Sequence, residues 1–93
     1  MKEVLLSQKG PVGVYLVPDE VANNLKQYCI NFVRNYLGMT SYQENQRFNV
    51  TDFIRYLNIM FPNEKTEFVK DLGHIWIKPE LPVEYQKYEW YDF

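Results

Sequence analysis

Cysteine and histidine occur once each, as Cys29 and His74. One cysteine cannot form an internal disulfide, which excludes the disulfide-stapled secreted scaffolds. A structural zinc site draws on four Cys or His ligands, and two such residues fall short of one. No acidic pair has the spacing of a known metal motif, so neither metal nor other cofactor is expected. Positive charge is also short: ten Lys and Arg stand against twelve Asp and Glu, a net charge of −2. The basic residues, among them Lys2, Lys26, Arg34, Arg55, Lys70 and Lys87, are scattered singly among acids rather than clustered. Direct binding to nucleic acid, which rests on clustered cations that neutralise phosphates, is therefore disfavoured.

Long apolar runs are missing as well. No segment approaches the roughly 18 residues of a membrane span. Met1 to Leu6 lacks the apolar stretch of a signal peptide. The expected setting is cytoplasmic, with no membrane partner, and Asn49-Val50-Thr51 then reads as a helix start rather than a glycosylation acceptor. Lys9-Gly10-Pro11-Val12-Gly13 is a turn and not a phosphate loop, because no second glycine precedes a Lys-Ser/Thr pair. There is no repeat, low-complexity tract or linker, and residues 1–93 form one domain.

What is present is organised around Pro18 to Gly38, which reads as one long amphipathic helix. Asp19 and Glu20 suit its half-positive first turn. Val21, Ala22, Leu25, Tyr28, Cys29, Phe32, Val33 and Tyr36 recur at three- and four-residue steps and make a core-facing stripe. Gly38 is placed to end it. Upstream, Glu3–Ser7 and Val12–Val17 read as two strands joined by the Gly10-Pro11 turn, with Gly13 marking a bulge or a close backbone approach. Downstream, Met39–Asn49 reads as a long connection with a short strand near Arg47-Phe48. A second helix follows from Asn49 or Thr51, its face made by Phe53, Ile54, Leu57, Met60 and Phe61, and Pro62 ends it. Glu64–Leu72 reads as a short third helix stopped by Gly73, and His74–Lys78 as a strand. These elements predict a small α+β domain, a three-stranded antiparallel sheet packed on one long and one or two shorter helices.

The segment 79–93 differs from the rest. Aromatics make up 17% of the chain, and five of them, Tyr85, Tyr88, Trp90, Tyr91 and Phe93, fall in its last nine residues. Glu80, Glu84, Glu89 and Asp92 surround them against the single cation Lys87. Two readings follow: a tail that folds back to close the core, or a protein-binding surface, since Tyr and Trp are enriched at binding hot spots. In the second, Tyr85, Tyr88, Trp90, Tyr91 and Phe93 are the hot-spot candidates and Glu84, Glu89 and Asp92 an acidic rim suited to a basic partner, even one whose groove is meant for nucleic acid. Tyr42 and Glu44 offer a second patch. Catalysis has only the pair Cys29 and His74 to draw on, and a thiol on an apolar stripe is usually an inert hydrophobe. The chain is therefore expected not to be an enzyme. An alternative is a homodimeric regulatory or nucleic-acid-associated protein with Ile30, Leu37, Tyr56 and Ile59 at the interface.

The opening run from Val4 to Ala22 (VLLSQKGPVGVYLVPDEVA), Asp52–Asn58 (DFIRYLN) with Phe61-Pro62-Asn63-Glu64 behind it, and the aromatic terminus resemble small proteins carried on mobile elements and phages of Gram-positive bacteria. The resemblance spans nearly the whole chain and its motifs are structural. It implies a class, short acidic inhibitors of host defence enzymes with anti-CRISPR proteins among them, and transfers no functional residue. The expected function is accordingly a non-enzymatic interaction module that inhibits a host defence nuclease complex by occlusion.

Overall fold

The computed structural model describes residues 1–8, 10–39 and 50–93, with side chains described to residue 35 in the long helix. The order is β1 (Lys2–Ser7), β2 (Pro11–Val17), α1 (Asp19–Asn23), α2 (Leu25–Met39), α3 (Val50–Met60), β3 (Glu67–His74), two short 3-10 turns (Lys78–Glu80 and Val83–Tyr85) and β4 (Trp90–Asp92). The α+β class holds. The sheet, however, has four strands in the order β3-β2-β1-β4, and β4 runs parallel to β1. The three-stranded antiparallel expectation is thus corrected to a mixed sheet, the fourth strand coming from the aromatic tail.

Strand β1 is covered on both faces, and its alternation shows how. Val4 and Leu6 point into one cluster with Val17, Leu25, Cys29, Phe32, Phe53 and Leu57 from the helical side. Leu5, between them, points the other way and packs with Val12, Val14, Ile75 and Leu81. Successive strand residues face opposite sides, so two adjacent leucines feed two separate cores. The helices cover one face. Residues 75–89 cross the other face from the β3 edge to β1, and β4 then adds beside β1 through Leu5 N–H to Glu89 O and Phe93 N–H to Ser7 O, both 2.8 Å.

Two helical expectations are corrected. The single helix from Pro18 is broken at Asn24, which has φ −135° and ψ 36°. Its carboxamide Nδ2 donates to Glu20 O at 3.0 Å, the carbonyl that the Asn24 backbone N–H would have used, and that N–H turns instead to Val21 O at 3.1 Å. Asparagine competes with the helix ladder in this way. The Tyr28 hydroxyl donates to Glu20 Oε2 across the break and ties α1 to α2.

The third helix over Glu64–Leu72 is instead strand β3, and the strand expected over His74–Lys78 ends at His74. Two register shifts against β2 explain the misreading. Gly13 pairs with Asp71 and Val12 with Gly73, and Val14 pairs with Lys70 and Tyr15 with Phe68. Leu72 and Val69 are therefore the extra residues of two bulges, which destroys the two-residue alternation and leaves apolar residues at helix-like steps. Gly73 sits at φ +80°, inside the strand rather than after a helix. Gly13 has the close approach its position implied: a Cβ there would meet the Tyr15 ring at 2.8 Å. The strand near Arg47-Phe48 and the patch at Tyr42 and Glu44 lie outside the described residues.

Leu5→Ala and Leu6→Ala are each expected to cost about 2–5 kcal/mol in urea unfolding, because each leaves a cavity in its own core. Ile59→Ala, at a side chain 80% exposed, is expected to stay within about 0.5 kcal/mol.

Candidate functional site

The layer formed by residues 75–93 is where the chain departs most from an ordinary sheet-and-helix domain. It begins at Ile75, whose N–H donates to Gly10 O at 3.0 Å and pins the layer to the β1–β2 turn. Glu80 then folds its carboxylate back, Oε1 accepting from the N–H groups of Trp76 at 3.0 Å and Ile77 at 3.1 Å. Leu81 drops into the core, and Gln86 Nε2 donates to its carbonyl at 3.1 Å. The proline-rich sequence suits this path, because Pro79 and Pro82 set φ for short turns and cannot extend a ladder.

The five tail aromatics are all partly buried. Tyr85, Tyr88 and Trp90 pack against the Leu5 cluster, and Tyr91 and Phe93 against the helical one. Tyr85 and Tyr88 meet edge-to-face at 5.0 Å, and Tyr88 OH donates to Glu3 Oε1 at 3.0 Å. Phe93 approaches Phe53 at 5.3 Å and Phe32 at 6.1 Å. The tail is packed, and both cores depend on it. Glu84, Glu89 and Asp92 remain on the surface.

The apolar groups that face solvent in this layer are others. Trp76 is 66% exposed, Ile77 57% and Val83 86%. Trp76 and Ile77 belong to the strand that the sequence predicts over His74–Lys78. The signal against that was Glu80 flanked by Pro79 and Pro82, the composition of a turn held by a carboxylate.

Beside Trp76 lies a shallow groove of about 210 Å³ lined by Gly10, Ile75, Trp76, Trp90 and Asp92. Its polar side is fixed by one buried residue. Ser7, 2% exposed, accepts a hydrogen bond from Trp90 Nε1 at 2.8 Å and donates one to Asp92 Oδ1 at 2.8 Å. Gly10 shapes the other end: at φ +129°, a Cβ there would lie 2.7 Å from His74 Cδ2 and 3.2 Å from Trp76 Cη2.

No family model, curated protein or solved structure matches the chain. The site must be read from its own chemistry.

Cys29 and His74 are not brought together. Cys29 is buried in the helical cluster, where burial pushes its thiol up to about 12. His74 is exposed at the end of β3, its ring 6.5 Å from that of Trp76. Of the residues considered for a dimer interface, Ile59 is exposed, Ile30 and Tyr56 are half-buried, and the Leu37 side chain lies outside the described residues. Tyr56 packs on Phe32 at 5.4 Å. Among the described residues, no group of three or more His, Cys, Asp or Glu converges and no helix is long and apolar enough to cross a membrane.

The raised Cys29 thiol gives a signed prediction. A thiol near 9 when unfolded and about 12 when folded contributes stability fully below pH 9, and loses it as pH rises toward 12. Unfolding free energy should fall from pH 9 upward, and Cys29→Ala should reduce that slope between pH 9 and 10 without abolishing it, because Tyr15, Tyr28, Tyr88 and Tyr91 are also raised in the folded chain, as urea titrations at a series of pH values would read. In the native protein, Ellman's reagent should react with Cys29 far more slowly than in denaturant.

Proposed function

We propose that the chain is a non-enzymatic protein-interaction module that binds a basic surface of a partner and acts by occlusion. The observation that carries this reading is the outward face of the 75–93 layer, where Trp76, Ile77 and Val83 stand in solvent on a segment whose other side is packed into the core. Aromatic and aliphatic groups held on a fixed backbone lose little entropy on binding. Trp in particular is a frequent hot-spot residue. The exposed Glu84, Glu89 and Asp92 make the surroundings acidic and suit them to a basic surface. Inhibition of a host defence nuclease complex is the finer form of the proposal, and its support is the sequence resemblance. Trp90 and Tyr91 then contribute chiefly by holding the layer in place.

A homodimer is the second reading, favoured by the exposed Ile59 and Met60 at the end of α3. Light scattering at micromolar concentration should report a monomer under the first reading and a dimer lost on Ile59→Asp under the second.

The test compares two double variants as baits. Trp76→Ala with Val83→Ser should keep the fold, shifting Tm by no more than a few degrees, and lose capture of a stoichiometric basic protein from a host lysate. Trp90→Ala with Tyr91→Ala should instead lower stability by several kcal/mol, since both half-buried rings pack into the cores. Equal capture by wild type and the Trp76/Val83 variant, or none by a folded wild-type bait, overturns the assignment of this face.

A further inference from the structure

We propose that Glu80 is the positioning residue of the binding face: its carboxylate acts as a backbone acceptor that presents Trp76 and Ile77 outward, rather than as a charge that meets the partner. The inference rests on the interaction-module reading and assigns the residue that readies that face. The span 76–80 is exposed throughout and runs between two buried anchors, Ile75 at 8% and Leu81 at 3% exposure. Burial thus fixes the two ends of the span more than its middle. The middle is tied by polar bonds. Glu80 Oε1 accepts from Trp76 N–H at 3.0 Å and from Ile77 N–H at 3.1 Å, and Glu80 N–H donates to Ile77 O at 3.0 Å. Leu81 N–H adds a bond to Lys78 O at 3.0 Å, which closes the turn onto its inward anchor.

The residue type suits the task. A glutamate three residues into a short turn reaches the N–H groups at its start, as in a capping box. A charged acceptor makes such bonds about twice as strong as a neutral one. Pro79 beside it fixes φ within the turn, so the side chain reaches back from a restrained backbone. In the sequence Glu80 is one more acid among the aromatics; in the fold its carboxylate is committed to the chain's own backbone, and a partner cation would have to share it with two N–H groups. The consequence for binding is entropic. Trp76 and Ile77 are 66% and 57% exposed, and a backbone already fixed under them in the free chain leaves less ordering to be met when a partner covers them.

Wild type, Glu80→Gln, Glu80→Ala and Glu84→Gln, each as the full 15N-labelled chain, are compared first by backbone relaxation with no partner present. Gln keeps a carbonyl oxygen at the same reach and loses the charge; Ala loses the acceptor. The Trp76 and Ile77 amides should keep order parameters of about 0.8 in wild type and in both Gln variants, and fall below about 0.6 in Glu80→Ala. Leu81 and Tyr85 should stay rigid in all of them. The same chains then serve as baits in the host lysate. Glu80→Ala should lower capture of the basic partner about fivefold, and Glu80→Gln should restore it to within about twofold of wild type. Glu84→Gln, which loses one charge of the acidic surroundings, should lower capture about twofold with its order parameters unchanged. Rigid Trp76 and Ile77 amides in Glu80→Ala overturn the proposal. So does a Glu80→Ala chain whose whole 75–93 layer loosens, because the carboxylate is then a prop of the fold. Equal loss of capture in Glu80→Gln and Glu80→Ala overturns it as well, since the charge is then what counts. Capture that ignores Glu80 but is lost with Trp76 and Val83 overturns the role of Glu80 alone and leaves the module reading in place. A folded wild-type bait that captures nothing overturns the module reading, and the binding role of Glu80 with it.

Discussion

The structure depends on one strand being dry on both faces. In β1, Val4 and Leu6 face the helices while Leu5 and Ser7 face the opposite layer, and all four are buried. A sheet of this size with helices on one side alone would leave Leu5, Val12 and Val14 in water. The remaining cover comes from residues 75–93, which have no α-helix to offer and use rings instead. Aromatic side chains bury 150–250 Å² each, so a few of them close a face that would otherwise need a full layer of regular structure. The density of aromatics at the C-terminal end is thus first a packing requirement. The acidic residues between the rings, Glu84, Glu89 and Asp92, face solvent on the outer side of that thin layer.

This division also separates the two tryptophans. Trp90 alternates with Tyr91 along β4 as a strand residue should, its indole against the Leu5 cluster and its N–H answered by Ser7. Trp76 precedes the first 3-10 turn, and its backbone, not its ring, is what the fold holds. One indole is structural with an edge on the groove; the other is largely presented to solvent. The same sequence feature, an exposed-looking aromatic near an acid, therefore has two meanings, and only the three-dimensional path tells them apart.

Much of the fold was legible in the sequence. The β1–β2 hairpin, the helix ended by Pro62 and the buried stripe through Leu25, Cys29 and Phe32 follow from turn chemistry and periodicity. The break at Asn24 was not, because a side chain that takes a backbone carbonyl alters no hydrophobic spacing. Strand β3 was hidden by its bulges at Val69 and Leu72, which put apolar residues out of strand phase. The parallel pairing of β4 with β1 has no local signal at all: it is decided by where a crossing segment can reach. The candidate site suffered most from this. The half-buried rings of Tyr85, Tyr88, Tyr91 and Phe93 stood out in the sequence, whereas Trp76, Ile77 and Val83 became visible as solvent-facing groups only once Leu81 was seen to be the residue pointing inward.

The Ser7–Asp92 hydrogen bond joins residues 85 positions apart, and the Tyr88–Glu3 bond spans the same separation. Such distant pairings close large loops and are made late, since their entropic cost must be met before they contribute. Until β4 docks, the hairpin presents Leu5, Val12 and Val14 as an uncovered apolar face with an unpaired β1 edge. A chain in which β4 has not docked would therefore have helices over one face of its sheet and bare apolar side chains on the other. Changes that loosen the 75–93 segment would bare that face as well, so they carry an aggregation hazard that changes on the outer faces of the helices do not.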